Sequence, residues 1–361
     1  MAERKRLNAA VVGLGYWGPN LVRNLADSDG WNVRWIVDAD ERRLAAIERR
    51  YPQCRTSTDL ATVLRDGELD LVALATPPST HFTMAGDAIA AGKHVLVEKP
   101  LAERSADARA LLDLAGRNEV KLFTDHTFLY TGAVETMHRM LHAGELGDVY
   151  YIESQRVNLG LFQQTNVVWD LAPHDVSIFN YVLGRLPTAV SCHTRACINP
   201  SVADVAFLQL RYADDCTAAV HLSWLSPVKV RRMMLSASAR MLLWDDVDPS
   251  EKLRIYDKGV LLNPSSKTLT QQMISYRLGD VRIPMLDGRE ALAKLFDDVW
   301  HDVAENRPAR VGGSFGYDVV RCIEAAIESS ETGGRWIPVE GAGDASRRTA
   351  VDGKIASESL V

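Results

Sequence analysis

The feature that most constrains the fold is a glycine-rich turn near the start of the chain. Leu7–Val12 is a short apolar run typical of a strand, and the residues GLGYWG follow it at once and open a helical pattern. In this context three glycines permit a tight turn, close approach of the backbone to a pyrophosphate, and tight packing of helix against strand. The pattern therefore predicts a dinucleotide site, although a glycine turn in a fold that binds no dinucleotide is the alternative. The residues predicted at the cofactor are Gly13, Gly15, Tyr16, Trp17 and Gly18.

An acidic residue after the second predicted strand, Val33–Val37, indicates which cofactor to expect. Asp38 lies 20 residues after Gly18, where a dinucleotide site places the carboxylate that binds the ribose. A carboxylate there repels a 2′-phosphate, which favours NAD. Arg42 and Arg43 follow closely and leave NADP open as the alternative.

The first 125 residues alternate short apolar runs with helical patterns, which predicts a doubly wound, mostly parallel Rossmann sheet for residues 1–125. The pattern then changes, because several strand candidates follow one another without helices between them. In Cys216–Leu225 apolar and more polar residues alternate, an antiparallel signature. The sequence therefore predicts a second α/β domain over residues 126–340 with a large, mostly antiparallel open sheet for substrate binding and oligomerisation. Residues 341–361 are polar and aperiodic, and we expect a mobile tail.

Composition narrows the possible partners. The chain has 361 residues, 47% of them hydrophobic, and a net charge of −6, which fits a globular protein and argues against nucleic acid as the main partner. No apolar run is long enough for a transmembrane helix, so no membrane partner is expected. The five cysteines are scattered, which favours a cytoplasmic protein, and their spacing with the histidines fits no standard zinc site, so no metal is expected. The sheet's outer face, with Val220, Leu222 and Trp224 as its predicted apolar residues, leads us to expect a homodimer or homotetramer.

Two further motifs suggest acid–base chemistry. Glu98-Lys99-Pro100 follows the predicted strand His94–Val97, and the carboxyl ends of parallel strands are where open α/β sheets place their ligands. A lysine there can donate or accept a proton, whereas the alternative is a surface Lys–Glu pair before a turn. Asp170 and His174 are spaced i, i+4, which puts both on one helical face. The alternative for this pair is a capping aspartate and a core histidine.

The order of these motifs resembles the Gfo/Idh/MocA family. The stretches that carry the resemblance are GLGYWG, ATPPSTH from Ala75, GKHVLVEKP from Gly92, and the DxxxH of Asp170 and His174, and the match runs from residue 7 to about residue 340. The resemblance implies hydride transfer between a sugar or cyclitol carbon and C4 of a nicotinamide. It further implies that Lys99 and His174 exchange the hydroxyl proton and that Asp170 holds the substrate or orients the histidine.

The same resemblance assigns further positions to the cofactor. Thr76, Pro77 and His81 would lie along it, Glu98 would lie near the nicotinamide ribose, and Lys99 would also contact it. The Lys99–Pro100 bond is often cis in such enzymes. A non-catalytic relative that senses a sugar or dinucleotide is the alternative of a different class, and the intact set of Lys99, Asp170 and His174 argues against it.

The chain also departs from the family pattern, with TDHTFLY from Thr124 where many members have Asn-x-Arg. These departures, with QRVNLG from Gln155, look like the branch that acts on nucleotide-linked sugars, such as UDP-N-acetylglucosamine 3-dehydrogenases, and oxidation at C3 of a hexose is the expected chemistry. Inositol or amino-cyclitol dehydrogenases share such stretches and stay open. Asp125 and His126 could form a second acid–base pair, but His126 is taken as substrate-contacting or structural. The candidate substrate contacts, for which ordinary loop polarity is the alternative, are Lys99, His126, Tyr130, Arg156, Asn158, Trp169, Asp170 and His174.

Overall fold

The computed structural model describes residues 5–160, 165–262 and 274–341, which divide into two compact units. The first unit contains the chain up to Tyr130 together with Arg289–Arg321. The second contains Thr131–Gly288 and the described residues from Cys322 onward. None of the helices in these ranges combines the length and the apolar character needed to cross a membrane.

The elements follow one another in the order that the alternating patterns suggest. The strands are β1 (Leu7–Val12), β2 (Trp31–Val37), β3 (Arg55–Ser57), β4 (Leu71–Leu74), β5 (His94–Glu98), β6 (Leu122–Asp125), β7 (Val149–Leu159), β8 (Ala189–Arg195), β9 (Val205–Arg211), β10 (Thr217–Ser223), β11 (Leu225–Ala237), β12 (Met241–Asp245), β13 (Leu253–Leu262), β14 (Ile274–Arg282) and β15 (Ile337–Pro338). The helices are α1 (Gly18–Ala26), α2 (Glu41–Glu48), α3 (Leu60–Leu64), α4 (Pro78–Ala90), α5 (Ser105–Arg117), α6 (Gly132–His142), α7 (Val167–Leu183), α8 (Ala291–Glu305) and α9 (Gly313–Glu331), and Thr127–Tyr130 forms a 3-10 turn.

The first unit is built on a parallel sheet of six strands in the order β3-β2-β1-β4-β5-β6. All four residues of β4 are buried, as expected for a parallel strand with helices on both faces. The order reverses direction between β1 and β4, and such a switch point is where open α/β sheets bind ligands at the carboxyl ends of their strands. The predicted doubly wound sheet is confirmed, with β3 added as a three-residue strand.

Helix α8, from late in the chain, belongs to the first unit. The indole nitrogen of buried Trp31 donates to the Phe296 carbonyl at 3.0 Å, and the two rings meet edge to face. Near its start, Glu290 accepts two hydrogen bonds from Arg23 on α1. The fold therefore completes the first unit with a segment that follows strands β7 to β14 of the second sheet in sequence.

The second unit is built on a nine-stranded sheet in the order β14-β13-β12-β11-β7-β10-β9-β8-β15. Its strand pairs are antiparallel except β7 with β10, which run parallel. Helix α7 packs on β7, β9 and β10. The predicted large, mostly antiparallel sheet is confirmed.

The alternation along β10 is as the sequence indicates, but its apolar residues do not lie on the outer face of the sheet. Val220, Leu222 and Trp224 are 2%, 0% and 1% exposed, whereas Thr217 and Ala219 are exposed. The three apolar side chains therefore belong to the core of the second unit, and placing them on the outer face was wrong. The expected dimer or tetramer stays a prediction and loses these three residues as its basis.

Candidate active site

The glycine turn after β1 has the close packing that its sequence predicts. Gly13 adopts a positive φ of +93°, and a Cβ there would lie 2.6 Å from the Ala75 carbonyl oxygen. A Cβ on Gly18 would lie 1.9 Å from the Gly13 carbonyl oxygen, so neither position tolerates a side chain. Around Gly15, by contrast, a Cβ would meet nothing within 4 Å. Two glycines therefore close the turn, and the middle one leaves the backbone open to a ligand at the start of α1.

The carboxylate of Asp38 lies at the end of β2 and contacts the glycine turn directly. It accepts hydrogen bonds from the backbone N–H groups of Leu14 at 2.6 Å and Asp40 at 2.8 Å. Arg43 Nη1 lies 3.5 Å from it. These residues border an open cleft of about 750 Å³ that Asp38, Ala39, Asp40, Glu41, Arg42, Arg43 and Thr58 line. The Asp38 carboxylate, the open backbone at Gly15 and this cleft together fit the adenosine half of a dinucleotide.

Two aromatic residues of the turn differ in their surroundings. Tyr16 is 91% exposed, whereas Trp17 is half-buried and its indole nitrogen donates to Asp125 Oδ2 at 3.2 Å. Asp125 ends β6, so this bond ties the glycine turn to the far side of the same sheet edge. Sequence reasoning had considered Asp125 only as a partner for His126. The sequence signal for a role at this edge is the position of Asp125 at the end of a buried strand.

Lys99 follows β5 at the carboxyl edge of the parallel sheet and is half-buried. The Lys99–Pro100 peptide bond is cis, as the family resemblance implies. The positive charge of Lys99 affects the pKa values of Glu98, His81 and His126, and lowers each of them. The structure thus brings Lys99 and Glu98 to the same sheet edge as the glycine turn.

Thr76, Pro77 and His81 form the first turn region of α4 at the end of β4. Pro77 is exposed and Thr76 is half-buried, so both can contact a ligand at this edge. His81 is fully buried, with Nδ1 2.8 Å from the Pro100 carbonyl oxygen and Nε2 2.9 Å from that of Thr76. Burial lowers the pKa of His81 below its ordinary value, although the two carbonyl contacts act in the opposite direction. His81 therefore braces the Lys99–Pro100 segment, and we leave it out of the cofactor contacts proposed below.

His126 is 2% exposed and meets Phe315 edge to face at 5.5 Å. Neither ring nitrogen has a hydrogen-bond partner among the described residues. Burial lowers the pKa of His126 to about 3, and the nearby Lys99 charge adds to the effect. The ring is therefore neutral at physiological pH, which makes it a poor proton donor for catalysis.

Tyr130 is the second buried candidate of this segment. It is fully buried, its hydroxyl donates to Asp298 Oδ2 at 2.7 Å, and the Arg310 guanidinium stacks on its ring. The hydroxyl and the ring of Tyr130 therefore both have partners within the first unit. We therefore leave Tyr130 out of the proposed substrate contacts.

In the second unit, helix α7 carries Asp170 and His174 one turn apart on one face, as the spacing predicts. The side-chain oxygen of Asn166 caps the helix by accepting from the N–H groups of Val168 and Trp169. Asp170 Oδ2 accepts from the indole nitrogen of Trp224 at 3.2 Å. Asp170, His174 and Trp169 are half-buried, so each retains accessible surface.

Arg156 and Asn158 occupy β7 in the same unit. Arg156 is 5% exposed and forms an ion pair with Asp175, with Nε 2.7 Å from Oδ2. Because its guanidinium is committed to a buried partner, we leave Arg156 out of the proposed substrate contacts. Asn158 is half-buried near the end of β7 and is kept. No group of three or more His, Cys, Asp or Glu side chains within the described ranges is arranged to hold a metal ion.

A parallel sheet with a switch point, a glycine turn and an acidic residue after β2 defines an NAD-binding Rossmann unit. Comparison with protein families agrees: residues 7–126 match the model described as "Oxidoreductase family, NAD-binding Rossmann fold" of the Gfo/Idh/MocA group. Residues 134–242 match the Gfo/Idh/MocA C-terminal domain. Together the two models span most of the chain, which therefore belongs to the Gfo/Idh/MocA oxidoreductase family.

Several characterised proteins are similar to this chain. A UDP-N-acetylglucosamine 3-dehydrogenase from Acidithiobacillus ferrooxidans is 25% identical over 333 residues, which cover 90% of this chain and 98% of that protein. A D-apiose dehydrogenase from Paraburkholderia graminis is 28% identical over 233 residues, and the match covers 62% of either protein, so the chain spans about three fifths of that relative's length. Among solved structures, GenD2 from gentamicin A biosynthesis in complex with NAD has a TM-score of 0.78 and 25% identity and covers 94% of this chain and 97% of its own.

Proposed function

We propose that the protein is an NAD-dependent dehydrogenase that oxidises a secondary hydroxyl of a sugar, or reduces the corresponding ketone. The observation that carries the proposal is the position of Lys99 after β5, at the same carboxyl edge of the first sheet as the glycine turn and Asp38. A lysine at that edge is placed to act on a substrate held against the cofactor. Family membership and the dehydrogenase relatives support this reading.

Each proposed residue has a defined task. Asp38 and the N–H groups of the glycine turn bind the adenosine ribose and the pyrophosphate, while Thr76, Pro77 and Glu98 border the remainder of the cofactor. NAD, when bound, supplies the hydride acceptor. Lys99 and His174 exchange the proton of the substrate hydroxyl, and Asp170 orients the histidine or holds the substrate. Asn158 and Trp169 supply further substrate contacts from the second unit.

We further propose that the substrate is a nucleotide-linked hexose and that the reacting carbon is C3. The support is the likeness to the UDP-N-acetylglucosamine 3-dehydrogenase, which extends over 98% of that protein, whereas the match to the D-apiose dehydrogenase covers only 62%. An inositol is the second candidate, because the relatives include a scyllo-inositol 2-dehydrogenase from Bacillus subtilis that is 27% identical over 234 residues.

The test is a substrate panel followed by reduction of NAD. We expect absorbance of NADH to rise with UDP-N-acetylglucosamine and to stay flat with scyllo-inositol and D-apiose. Turnover with the inositol alone would replace the first substrate class by the second. NADH binding without turnover of any sugar, in either direction, would favour a sensing role instead.

Lys99→Ala tests the proposed proton transfer. Removing a general acid–base group lowers turnover by about a hundredfold or more. We expect a much smaller change in the Kd for NADH, measured by fluorescence titration. The matched control is Lys258→Ala, which removes an exposed lysine of β13 and leaves turnover unchanged. Equal turnover in Lys99→Ala and Lys258→Ala would remove Lys99 from the mechanism.

A further inference from the structure

Two carboxyl groups lie side by side at the carboxyl edge of the first sheet. Glu98 and Asp125 are register partners on the parallel strands β5 and β6, so their side chains project from the same side of the sheet. Asp125 is 3% exposed. Glu98 Oε1 is buried and has no hydrogen-bond partner among the described residues.

The donors around the pair are distributed unequally. Asp125 accepts from Trp17 Nε1 at 3.2 Å, from the Thr127 backbone N–H at 3.0 Å, and from the Thr127 hydroxyl. Three donors converging on one carboxyl group suit a carboxylate, since an ionised group offers only acceptors. The neighbouring Asp125 side chain and the Lys99 backbone N–H are among the groups that act on Glu98. Two carboxyl groups in this position can form a hydrogen bond only if one of them carries a proton, and the donors around Asp125 leave Glu98 as the group that carries it.

Burial raises the pKa of Glu98 well above its ordinary value, and the charge of Asp125 raises it further. The Lys99 ammonium charge and backbone N–H act in the opposite direction without reversing the effect. His126, which follows Asp125 in the chain, is also titratable, and its low pKa of about 3 keeps it neutral at neutral and alkaline pH. Trp17, from the glycine turn, brings no charge. The geometry and the electrostatics therefore agree that the proton of the pair lies on Glu98.

We propose that Glu98 and Asp125 share one proton, and that Asp125 is a positioning residue that holds Trp17 and the neutral Glu98 in place for the nicotinamide half of the cofactor. The inference rests on the proposed function for one point, the placement of Glu98 along the cofactor. Loss of the shared proton puts two carboxylates side by side, and their repulsion separates Asp125 from Glu98 and Trp17. Cofactor binding should therefore weaken at alkaline pH.

The proton itself can be detected without cofactor or substrate. Infrared spectra of the full-length protein at neutral pH should contain the carbonyl band of a protonated carboxylic acid that is absent from Glu98→Gln. In Asp125→Asn the band should disappear at a pH lower by about one unit or more, because the neighbouring negative charge is gone. Asp113→Asn, at an exposed ion pair of α5, is the matched control and should retain the wild-type band and its pH dependence. A wild-type spectrum without the band overturns the shared proton.

The positioning role is tested by binding. The Kd for NADH, measured by fluorescence from about pH 6 to about pH 10, should rise about tenfold through a one-proton transition, the loss expected for one hydrogen bond to a charged group. The transition should vanish in Glu98→Gln, which has no proton to lose, and also in Asp125→Asn, where loss of the Glu98 proton leaves a single carboxylate and no repulsion. A merely structural defect would change the Kd equally at every pH, and thermal unfolding of each variant shows whether it has folded.

Two results would contradict the positioning role. If the infrared band is present but the wild-type Kd for NADH does not change with pH, the shared proton exists and has no role in cofactor binding. A transition that persists in Glu98→Gln assigns it to another group, such as Lys99. Neither readout uses a sugar, so failure of the proposed dehydrogenase activity leaves both tests intact.

Discussion

Each unit buries a cluster of polar side chains beside a strand that carries proposed site residues, and the two clusters differ in how fully their bonds are satisfied. In the second unit, Arg156 and Ser154 on β7 both bind Asp175 on α7, with Arg156 Nε at 2.7 Å and Ser154 Oγ at 2.6 Å. In the first unit, Thr124 Oγ1, Glu98 Oε1 and both nitrogens of His126 are buried without a partner among the described residues.

Leaving a buried polar group without a hydrogen bond costs about 1–3 kcal/mol, so such groups are rare unless they serve a purpose. The cluster beside β7 consists of a buried ion pair and a hydroxyl that bond to one another, as expected for polar groups that stabilise a fold. The cluster at the ends of β5 and β6 retains acceptors at the edge where a parallel sheet binds its ligand. We infer that the cluster beside β7 serves stability and that the cluster at the ends of β5 and β6 serves ligand binding.

The largest expected effect breaks the satisfied cluster. Asp175→Asn leaves the Arg156 guanidinium buried without a countercharge, which should lower the free energy of unfolding by about 3–5 kcal/mol. Urea denaturation followed by circular dichroism measures it. The exposed pair of Arg109 and Asp113 is the control, since Asp113→Asn should cost less than about 1 kcal/mol.

The double variant Arg156→Met with Asp175→Leu sharpens this test. Because it removes both charges and fills the space with apolar side chains, it should recover most of the lost stability. If the single variant Asp175→Asn is as stable as Asp113→Asn, the contrast between the two clusters does not hold.

A smaller effect comes from the unsatisfied cluster and depends on pH. The folded protein holds His126 neutral down to a pKa of about 3, whereas the unfolded chain takes up a proton near the ordinary value of 6.5. Between these values the unfolded state binds more protons, so the free energy of unfolding falls as pH falls below 6.5. We expect this one group to contribute a loss of about 2 kcal/mol between about pH 6.5 and about pH 4.5.

His126→Leu should remove that contribution while retaining an apolar fill against Phe315. The measurement compares urea denaturation of wild type and variant at both pH values, since all other groups titrate alike in the two proteins. His193→Gln, at an exposed histidine of β8, should behave as wild type. If the free energy of unfolding changes with pH equally in wild type and His126→Leu, the folded protein does not lower the pKa of His126.

The same contrast explains which parts of the molecule the sequence could predict. The glycine turn, Asp38 and Lys99 owe their positions to neighbouring residues in the chain and to the ends of parallel strands, and both signals are local. The ion pair of Arg156 with Asp175, the burial of Val220 in the core of the second unit, and the return of α8 to the first unit depend on contacts between distant segments. Alternation along β10 indicated which residues share the apolar face, but not whether that face packs in the core of the unit or lies on the outer side of the sheet.

The smallest effect concerns Asp38, at the end of β2 on the same sheet edge. Both of its carboxylate oxygens accept hydrogen bonds from backbone N–H groups, and it also borders an open cleft. Asp38→Asn retains a side-chain oxygen for the Leu14 N–H but removes the negative charge, and Arg43 then remains near the position of a 2′-phosphate. The preference for NADH over NADPH, measured as the ratio of the two Kd values, should fall about tenfold, which corresponds to about 1.4 kcal/mol. Asp40→Asn removes a charge from the same cleft without touching the Leu14 N–H, so it separates local charge repulsion from the general field of the cleft. If both variants change the ratio equally, the cleft as a whole repels the extra phosphate, and Asp38 acts mainly by holding the glycine turn.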